Sequence, residues 1–356
     1  MKHSSIKLSF LTFLSTFATL LGYADQVQPI PVKVVVLTMF EKDGDELGET
    51  ELWEKRLELN QRLPFPAGRS DILTDGKGVI CITTAMGVSN AAASVMALGL
   101  DPRFDFTKAY WLVAGISGID PHDGSMGSAV WTRFVVDGGL AHEIDAREIP
   151  DDWTTGYLPL RSSKPFDRNG QPVNPSQFFQ LNEGLLQWAY QLTKDTPLLD
   201  GPDLAKRRAQ FVGFPNAQKP PFVLIGSNLS DSTFWHGVKM TEFGNDWTDF
   251  WTEGRGNFTT KAMEDSGTLQ SLTNLHNAGK VDIDRVMILR TASNYTMPSP
   301  DMTAPQSLAR ERGASLSAYN ESLDAAFRVG NTVVQEILNN WDQFEQTIPH
   351  AKASTY

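Results

Sequence analysis

Two acidic side chains, Glu264 and Asp265, lie where a helix predicted from Met263 to Asn277 begins. A carboxylate at this end of a helix is stabilised by the helix dipole. Glu264 could also point into a cleft and accept hydrogen bonds from two neighbouring hydroxyls, because an ionised carboxylate is only an acceptor. The residues alone leave both interpretations open: a capping residue, or a carboxylate that binds the vicinal diol of a sugar.

Two short turns of small residues follow predicted strands. One contains Met86-Gly87 and precedes a helix, and the other contains Ser117-Gly118. Backbone N–H groups in such turns can face an anion or a sugar oxygen, with the Ser117 hydroxyl as an extra donor. Glycine after a strand can equally serve packing. Neither turn matches the GxGxxG or GxxxxGK[ST] pattern, so neither predicts NAD or nucleoside triphosphate chemistry.

An aromatic cluster follows another predicted strand, with Phe234 and Trp235 close to Asp231. Rings at a strand end can stack on a flat heterocycle. The same rings, with Trp247 and Trp251, could instead form the small core of a tryptophan-rich loop. Both interpretations stay open at this point.

The sequence lacks the motifs of several kinds of catalytic centre. His122, His142 and His236 are far apart in sequence, and no HExxH motif is present. Cys81 is the single cysteine, so no intrachain disulfide and no cysteine-rich zinc site is predicted. No GxSxG nucleophile elbow is present either. We therefore expect no metal and no tightly bound cofactor.

Alternating apolar strands and amphipathic helices supply the elements that position these residues. The predicted strands are Val32 to Met39, Val79 to Thr84, Ala109 to Ala114, Ser128 to Val136, Phe222 to Ser227 and Val286 to Ala292. One helix is predicted to begin near Glu49. Four more are predicted at Ser89 to Leu98, Phe178 to Thr193, Met263 to Asn277 and Ser315 to Asp342. This alternation predicts a single three-layer α/β/α domain with a mainly parallel mixed sheet. Ligands bind such sheets beyond the carboxyl ends of the strands, where the residues named above lie.

Composition limits the class of partner. Hydrophobic residues make up 41% and charged residues 21% of the 356 residues, which excludes disorder over the bulk of the chain. The formal net charge of −11 gives a surface that repels phosphate backbones and anionic lipid. Nucleic-acid binding is therefore not the expected role.

The N-terminus has the pattern of an export signal. Lys2 and Lys7 lie beside an apolar run from Leu8 to Leu21, and Gly22-Tyr23-Ala24 follows. The run is shorter than the ~20 residues that span a bilayer. We predict a signal peptide over residues 1–24, a domain over residues 25–356 and export to a bacterial periplasm. An uncleaved anchor and a eukaryotic secretory route are the alternatives.

Six segments form a pattern when they are taken in order. They are VVVLTMFE at 34–41, TTAMGVSNAAA at 83–93, VAGISGID at 113–120, SDSTF at 230–234, AME at 262–264 and LRTASN at 289–294. Together they resemble the purine nucleoside permease family, within the nucleoside phosphorylase and nucleosidase superfamily. SDSTF resembles the Gly-Asp-x-Phe base loop, AME the Met-Glu ribose motif, and LRTASN the strand that ends in Arg-x-x-Ser-Asp. Residues 145–220 show no match and are predicted to be a family-specific insertion.

The resemblance implies a nucleoside phosphorylase-like fold and a role for each matched residue. Glu264 would hold the 2′ and 3′ hydroxyls of a ribose, and Met263 would pack beneath it. Phe234 or Trp235 would stack on a purine, in a loop that also carries Asp231.

Further roles follow from the N-terminal segments of the resemblance. Met86, Gly87, Ser117 and Gly118 would bind phosphate or position a water. Glu41 would be the acidic tip of the first strand and a catalytic candidate.

Asn294, with Ser293 beside it, would face the purine N7, where most relatives have an acid. An amide can donate a hydrogen bond there but cannot deliver a proton, which removes a contribution of ~10²–10⁴-fold. The amide could still stabilise a leaving purine anion. Asp231 and Asp265 are neighbouring acids that could replace the missing one.

Three alternatives remain open at the level of sequence. The first is an exported enzyme that cleaves the N-glycosidic bond of purine nucleosides, with either phosphate as co-substrate or water. The second is a nucleoside-binding component of uptake that passes its ligand to a membrane transporter, and an inactive relative is a third. The resemblance also implies a homo-oligomer, since relatives are often dimers or hexamers.

Overall fold

The computed structural model describes residues 28–41, 47–313 and 318–351. Residues 1–24, the predicted signal peptide, lie outside the described residues. The strands are β1 Ile30–Pro31, β2 Val34–Thr38, β3 Gln61–Leu63, β4 Ile72–Thr74, β5 Val79–Thr83, β6 Phe104–Asp105, β7 Tyr110–Ile119, β8 Ala129–Asp137, β9 Ala141–Glu143, β10 Tyr157–Pro159, β11 Phe178–Gln180, β12 Val223–Ser230, β13 Phe258–Ala262 and β14 Val286–Tyr295. The helices are α1 Glu49–Arg56, α2 Val88–Gly99, α3 Glu183–Thr193, α4 Pro202–Arg208, α5 Val238–Thr252, α6 Asp265–Asn277, α7 Ala304–Gly313, α8 Tyr319–Asn339 and α9 Trp341–Phe344.

The main sheet is mixed, and its central strands are parallel. β5, β2, β7 and β14 pair in parallel, and so do β8, β12 and β13. Two antiparallel pairings join these groups, β14 with β8 and β13 with β7. As a result β7, β14, β8, β12 and β13 form a closed ring, from which β2, β5, β4 and β3 extend as an open sheet. The ring gathers the ends of five strands at one place.

The core lies on both faces of the sheet, as the near-continuous apolar strand β2 predicts. Val34 and Val36 pack in a cluster with residues of α1, α3 and α8. Val35 and Leu37 point to the other face and pack with residues of α2 and α6. Successive side chains of a strand alternate between faces, so one strand serves both layers. The three-layer α/β arrangement predicted from the sequence is confirmed.

One aromatic segment folds differently from its predicted form. The predicted tryptophan-rich loop is largely the helix α5, and its rings Phe243, Trp247 and Trp251 lie buried against Phe258 of β13. Aromatic residues three to four positions apart share one face of a helix. The sequence contains this helical spacing, but the tryptophan-rich composition was interpreted as that of a loop.

Several element boundaries differ from those predicted. β14 continues past Ala292 to Tyr295, so Ser293 and Asn294 lie inside this strand and not after it. Two other boundaries differ most. Residues 178–180 form the edge strand β11 against β8, so the helix predicted from Phe178 begins only at Glu183, where the Asn182 side chain accepts a hydrogen bond from Leu185 N. β7 continues to Ile119 instead of ending at Ala114, because its far half pairs with β14 and β13. Ser117 and Gly118 therefore lie inside a strand and not after it.

Among residues 28–41, 47–313 and 318–351, no helix combines the length and the apolar character needed to span a bilayer.

Candidate functional site

The structure brings four predicted site residues together where β7 and β14 run side by side. Asn294 lies opposite Gly118 in the strand register. Ser293 Oγ lies 3.2 Å from the Ser117 carbonyl oxygen and 3.0 Å from Asn294 Oδ1. A Cβ built on Gly118 would stand 3.3 Å from Asn294 Nδ2 and 3.2 Å from Thr296 Cγ2, so a bare glycine gives the amide its place.

The side chain of Asn294 is held by its neighbours. Its Nδ2 donates to the Tyr295 carbonyl oxygen at 2.9 Å, and its Oδ1 lies within hydrogen-bond distance of Ser293 Oγ. Asn294 is also buried. The amide is thus fixed in orientation, and it carries no group that can transfer a proton.

Glu264 is buried at the start of α6 and meets the turn before α2. Its Oε1 accepts from Gly87 N at 3.3 Å, and its Oε2 accepts from Met263 N at 3.2 Å. Gly87 has a φ of +97°, a backbone conformation that favours glycine. Met86, beside it, is 48% exposed. The predicted diol-binding residue and the predicted small-residue turn therefore form one unit.

Arg290 links Glu264 to β7. Its Nη2 lies 3.0 Å from Glu264 Oε2, and its Nε lies 3.1 Å from Asp265 Oδ2, with a second Nη2 contact to Asp265. Its Nη1 donates to the Ile116 carbonyl oxygen at 3.2 Å, one residue before Ser117. Burial opposes the charge of Arg290, but Asp265 and Glu264 outweigh burial and raise its pKa. This guanidinium is the centre of a buried ionic network.

Glu49, which the sequence reasoning did not select, completes the buried network. Its Oε2 accepts from Met39 N at 2.7 Å and from Phe40 N at 3.0 Å, and its Oε1 accepts from Ile116 N at 2.7 Å. A Cβ on Gly115 would lie 2.9 Å from Arg290 Nη1 and 3.0 Å from Glu49 Oε1, so these two atoms are within about 6 Å of each other.

The environment of Glu49 changes its acidity. Burial raises the pKa of Glu49 to about 7, although three backbone N–H groups and the charge of Arg290 lower it. A carboxyl group whose pKa lies near neutrality can take up or release a proton at physiological pH. Glu49 is therefore a group in this network that could act as an acid or a base.

Glu41, predicted as the acidic tip, makes none of the hydrogen bonds of this network described above, but it lines the cavity beside it. It is exposed, and its Oε1 accepts from Thr50 N at 2.9 Å, in the first turn of α1. The first residue of α1, Glu49, lies against the segment after β2, and its N–H donates to the Phe40 carbonyl oxygen at 3.0 Å. Glu49 therefore takes the place next to Ile116 and Arg290 that the sequence order would give to Glu41.

The loop after β12 lies against the same turn. Ser232 Oγ accepts from Val88 N at 3.0 Å, and Asp231 Oδ1 accepts from Thr233 N at 2.9 Å. Phe234 is 47% exposed. Trp235 is buried in the aromatic cluster of α5, 6.0 Å from the ring of Phe258 between centroids. Of the two rings predicted to stack on a base, Phe234 is the exposed one.

Two cavities differ in their relation to these residues. One of about 280 Å³ adjoins the network and is lined by Met39, Arg69, Ser70, Thr83 and Met86 among others. Arg69 and Ser70 could donate hydrogen bonds to an anion there, while the carboxylate of Glu41 lines the same cavity. A larger one of about 920 Å³ lies between α5 and the segment after β14, and none of the predicted site residues lines it. The larger cavity is therefore not the one that adjoins the buried carboxylates.

Solved nucleosidases share this fold. The 5′-methylthioadenosine/S-adenosylhomocysteine nucleosidase of Helicobacter pylori matches with a TM-score of 0.51 and 12% identity, covering 86% of this chain and 100% of that one. A mutant of the futalosine hydrolase of Helicobacter pylori matches with a TM-score of 0.50 and 13% identity, covering 86% and 99%. The chain has the fold of the nucleoside phosphorylase and nucleosidase superfamily.

Sequence relatives narrow this class to one family. The profile of the family described as "Purine nucleoside permease (NUP)" matches residues 31–349. A purine nucleoside permease of Candida albicans is 30% identical over 325 residues, covering 88% of this chain and 77% of that one. A probable purine nucleoside permease of Schizosaccharomyces pombe is 28% identical over 348 residues, covering 94% and 96%. The chain belongs to the purine nucleoside permease family, which confirms the resemblance seen in its motifs.

Proposed function

We propose that this protein binds purine nucleosides at the strand ends of its closed ring and cleaves their N-glycosidic bond. One observation carries the proposal: Glu49 and Glu264 lie in one buried network around Arg290 and are held in different ways. Sites that pair carboxylates in unlike environments are suited to acid–base chemistry.

Glu264 is the residue that would bind the sugar. An ionised carboxylate offers about four acceptor positions, and Gly87 N, Met263 N and Arg290 take three of them. The remaining position, on Oε1, would accept a ribose hydroxyl. Met263 is half-buried beside it and would pack against the sugar ring.

Glu49 would act on the attacking group. Cleavage passes through an oxocarbenium-like transition state, which a nearby carboxylate stabilises and a deprotonated nucleophile traps. With a pKa of about 7, the Glu49 carboxyl can remove a proton from water or from a phosphate oxyacid. The cavity that carries Arg69 and Ser70 would hold phosphate if phosphate is the co-substrate.

Asn294 and Phe234 would hold the base. Asn294 Nδ2 carries two protons; it donates one to the Tyr295 carbonyl oxygen, and the other would donate to the purine N7. Phe234 would cover one face of the ring. The leaving purine would then depart as an anion stabilised by hydrogen bonds.

A direct assay separates hydrolysis from phosphorolysis. Purified protein is incubated with inosine, adenosine or guanosine, with and without phosphate, and free base is measured. Base released only with phosphate identifies a phosphorylase, and base released without it identifies a hydrolase. If the protein neither binds nor cleaves any of the three nucleosides, the proposal is contradicted.

The variant Glu264→Ala tests the sugar site. Asp265 still pairs with Arg290 in this variant, so the fold should persist. We expect kcat/KM to fall about a hundredfold, the usual effect of losing a positioning contact at the reacting centre. The exposed pair residue Glu54 supplies a matched control, Glu54→Ala, with unchanged kinetics. Unchanged kinetics in Glu264→Ala would remove the site assignment.

A second function, a nucleoside-binding component of uptake, is favoured by Asn294. The base side of the site then holds a ligand without an acid to protonate it. In this case the protein would bind nucleoside saturably, release no base, and pass its ligand to a membrane transporter. Equilibrium binding measured beside base release distinguishes the two functions.

We further propose that the chain is exported after cleavage at Ala24. The basic residues and apolar run of residues 1–24 support this. Mass spectrometry of the protein recovered from outside the cytoplasm would then give a chain that begins at Asp25. A chain that retains Met1 after full expression would contradict it.

A further inference from the structure

Lys261 is a buried cation without a role in the site as described above. It lies one residue before the end of β13 and is 7% exposed. Burying an ammonium group costs free energy unless its protons are hydrogen-bonded. Burial lowers the pKa of Lys261 to about 8, although the charges of Asp231 and Glu264 oppose the shift. A methionine could fill the same space without this cost, so the ammonium itself requires an explanation.

The ammonium group joins two segments of the site. Lys261 Nζ donates to the carbonyl oxygens of Asp231, at 2.6 Å, and of Ala262, at 3.1 Å. Asp231 is the first residue after β12, and its own N–H donates to the Ala262 carbonyl oxygen at 3.1 Å. Lys261 therefore ties the beginning of the loop 230–234 to the end of β13, two residues before Glu264.

The same loop is held at two further points. Ser232 Oγ accepts from Val88 N at the start of α2. Trp235 is fixed in the aromatic cluster, with its ring centroid 5.9 Å from Lys261 Nζ. Phe234 lies between these attachments with its ring 47% exposed. The direction of that ring therefore depends on where the beginning of the loop is held.

The charges around Lys261 come from three neighbouring elements. They are Asp231 in the loop, Glu264 and Asp265 at the start of α6, and Arg290 on β14. Three carboxylates against one guanidinium favour a cation at this place. A neutral side chain of equal length would remove this donor from the Asp231 carbonyl oxygen and leave the Ala262 carbonyl oxygen with only its bond from Asp231 N.

We propose that Lys261 is a positioning residue, which holds the loop 230–234 so that Phe234 covers the purine ring. The inference rests on the proposed function, because it assigns Phe234 to the base. Lys261 acts through the Asp231 carbonyl oxygen and does not touch the substrate. Its effect therefore falls on substrate binding and not on the bond-breaking step.

The variant Lys261→Met tests this with adenosine, whose base has no acidic ring proton that would titrate with the lysine. We expect KM to rise about tenfold while kcat stays within about twofold, since charge-assisted bonds to the loop are lost and the reacting groups are untouched. The exposed lysine at position 280 supplies the control, Lys280→Met, with both constants unchanged. An unchanged KM in folded Lys261→Met, or a fall in kcat alone, overturns the proposal.

A readout without substrate separates this proposal from the proposed function. Amide hydrogen exchange of residues 231–235 should be about tenfold faster in Lys261→Met than in the native chain. If no nucleoside is bound or cleaved by the native chain, the proposed function fails, and this exchange result alone decides whether Lys261 holds the loop. Unchanged exchange overturns the positioning role.

The native protein provides a measurement that does not depend on a variant folding. The KM for adenosine should rise as pH passes through about 8, because the neutral amine makes weaker bonds to the two carbonyl oxygens. If Lys261→Met does not fold, this titration decides the question. A KM that stays constant from pH 7 to above the lysine pKa overturns the proposal.

Discussion

Two buried acidic regions of the site are stabilised in different ways. At the start of α1, Glu49 accepts hydrogen bonds from three backbone N–H groups. At the start of α6, Glu264 and Asp265 pair with the guanidinium of Arg290. Amide dipoles stabilise a carboxylate without supplying a full charge, whereas a guanidinium supplies one. The first region is therefore suited to exchange a proton and the second to hold a fixed charge, within one network.

The largest effect is expected from removing the fixed cation. Arg290→Met leaves Glu264 and Asp265 buried without their partner, which should lower the free energy of unfolding by about 3–5 kcal/mol. Denaturant unfolding measures it. Arg62→Met, which removes an exposed pair with Glu54, is the control and should cost no more than about 1 kcal/mol. Equal effects in the two variants would show that the network around Arg290 is not special.

The amide-held region should show itself in the pH dependence of stability. The pKa of Glu49 is about 7 in the folded chain and 4.5 for an ordinary glutamate. The folded state therefore holds a proton that the unfolded state releases, and the stability from this group falls as pH rises from about 4.5 to 7. The full loss is about 3 kcal/mol.

The variant Glu49→Gln isolates that contribution. Its amide cannot ionise, so its stability relative to the native chain should rise by about 3 kcal/mol between the two ends of this pH range. Urea unfolding at several pH values gives the difference. A constant difference across the range would mean that Glu49 has the same pKa in the folded and unfolded chains and is not the proton-exchanging group.

A third carboxylate would sharpen the contrast between the regions. Asn294→Asp places an acid at the position that would face the purine N7. If the protein is an enzyme that lacks only this acid, kcat should rise at least about tenfold at acidic pH, part of the usual contribution of a general acid. The matched variant Asn294→Ala should not gain activity. Loss of base release in both variants would favour the amide as the native donor.

The smallest effect is expected where β7 and β14 meet. Gly118→Ala puts a methyl group 3.3 Å from Asn294 Nδ2 and 3.2 Å from Thr296 Cγ2. Such crowding should cost about 1 kcal/mol of unfolding free energy and shift the amide. Gly201→Ala has open space around its Cβ and serves as control in thermal unfolding. If Gly118→Ala is as stable as the control, β7 and β14 can move apart to accommodate the methyl group at little cost in free energy.

Part of the site could be predicted from the sequence. Gly87, Ser117 and Asn294 each lie at or near the end of a predicted apolar strand, and parallel strands end at one edge of a sheet. Glu264 was predicted at the start of a helix, but the strand before it, β13, was not predicted. The alternation of strands and helices gave this local order. The long-range antiparallel pairings that close the ring are not encoded in any one segment, so the extension of β7 to Ile119 was missed.

The acidic residues that follow the first strand show the opposite. The sequence offers Glu41 directly after the first strand and Glu49 at the start of the next helix. Only the folded chain shows that Glu49 N bonds to the Phe40 carbonyl oxygen and that its carboxylate reaches Ile116. The available signal was an acidic residue at the first position of a helix, which dipole capping explains equally well. The tertiary contact with Arg290 distinguishes the two roles.

The most direct test of this account is the pH dependence of kcat/KM for adenosine in the native chain and in Glu49→Gln. The account predicts that native base release rises as pH passes through about 7, where Glu49 ionises, and that Glu49→Gln is slow with no such rise. A native profile that is flat across this range, or a Glu49→Gln profile that matches it, would contradict the role of Glu49.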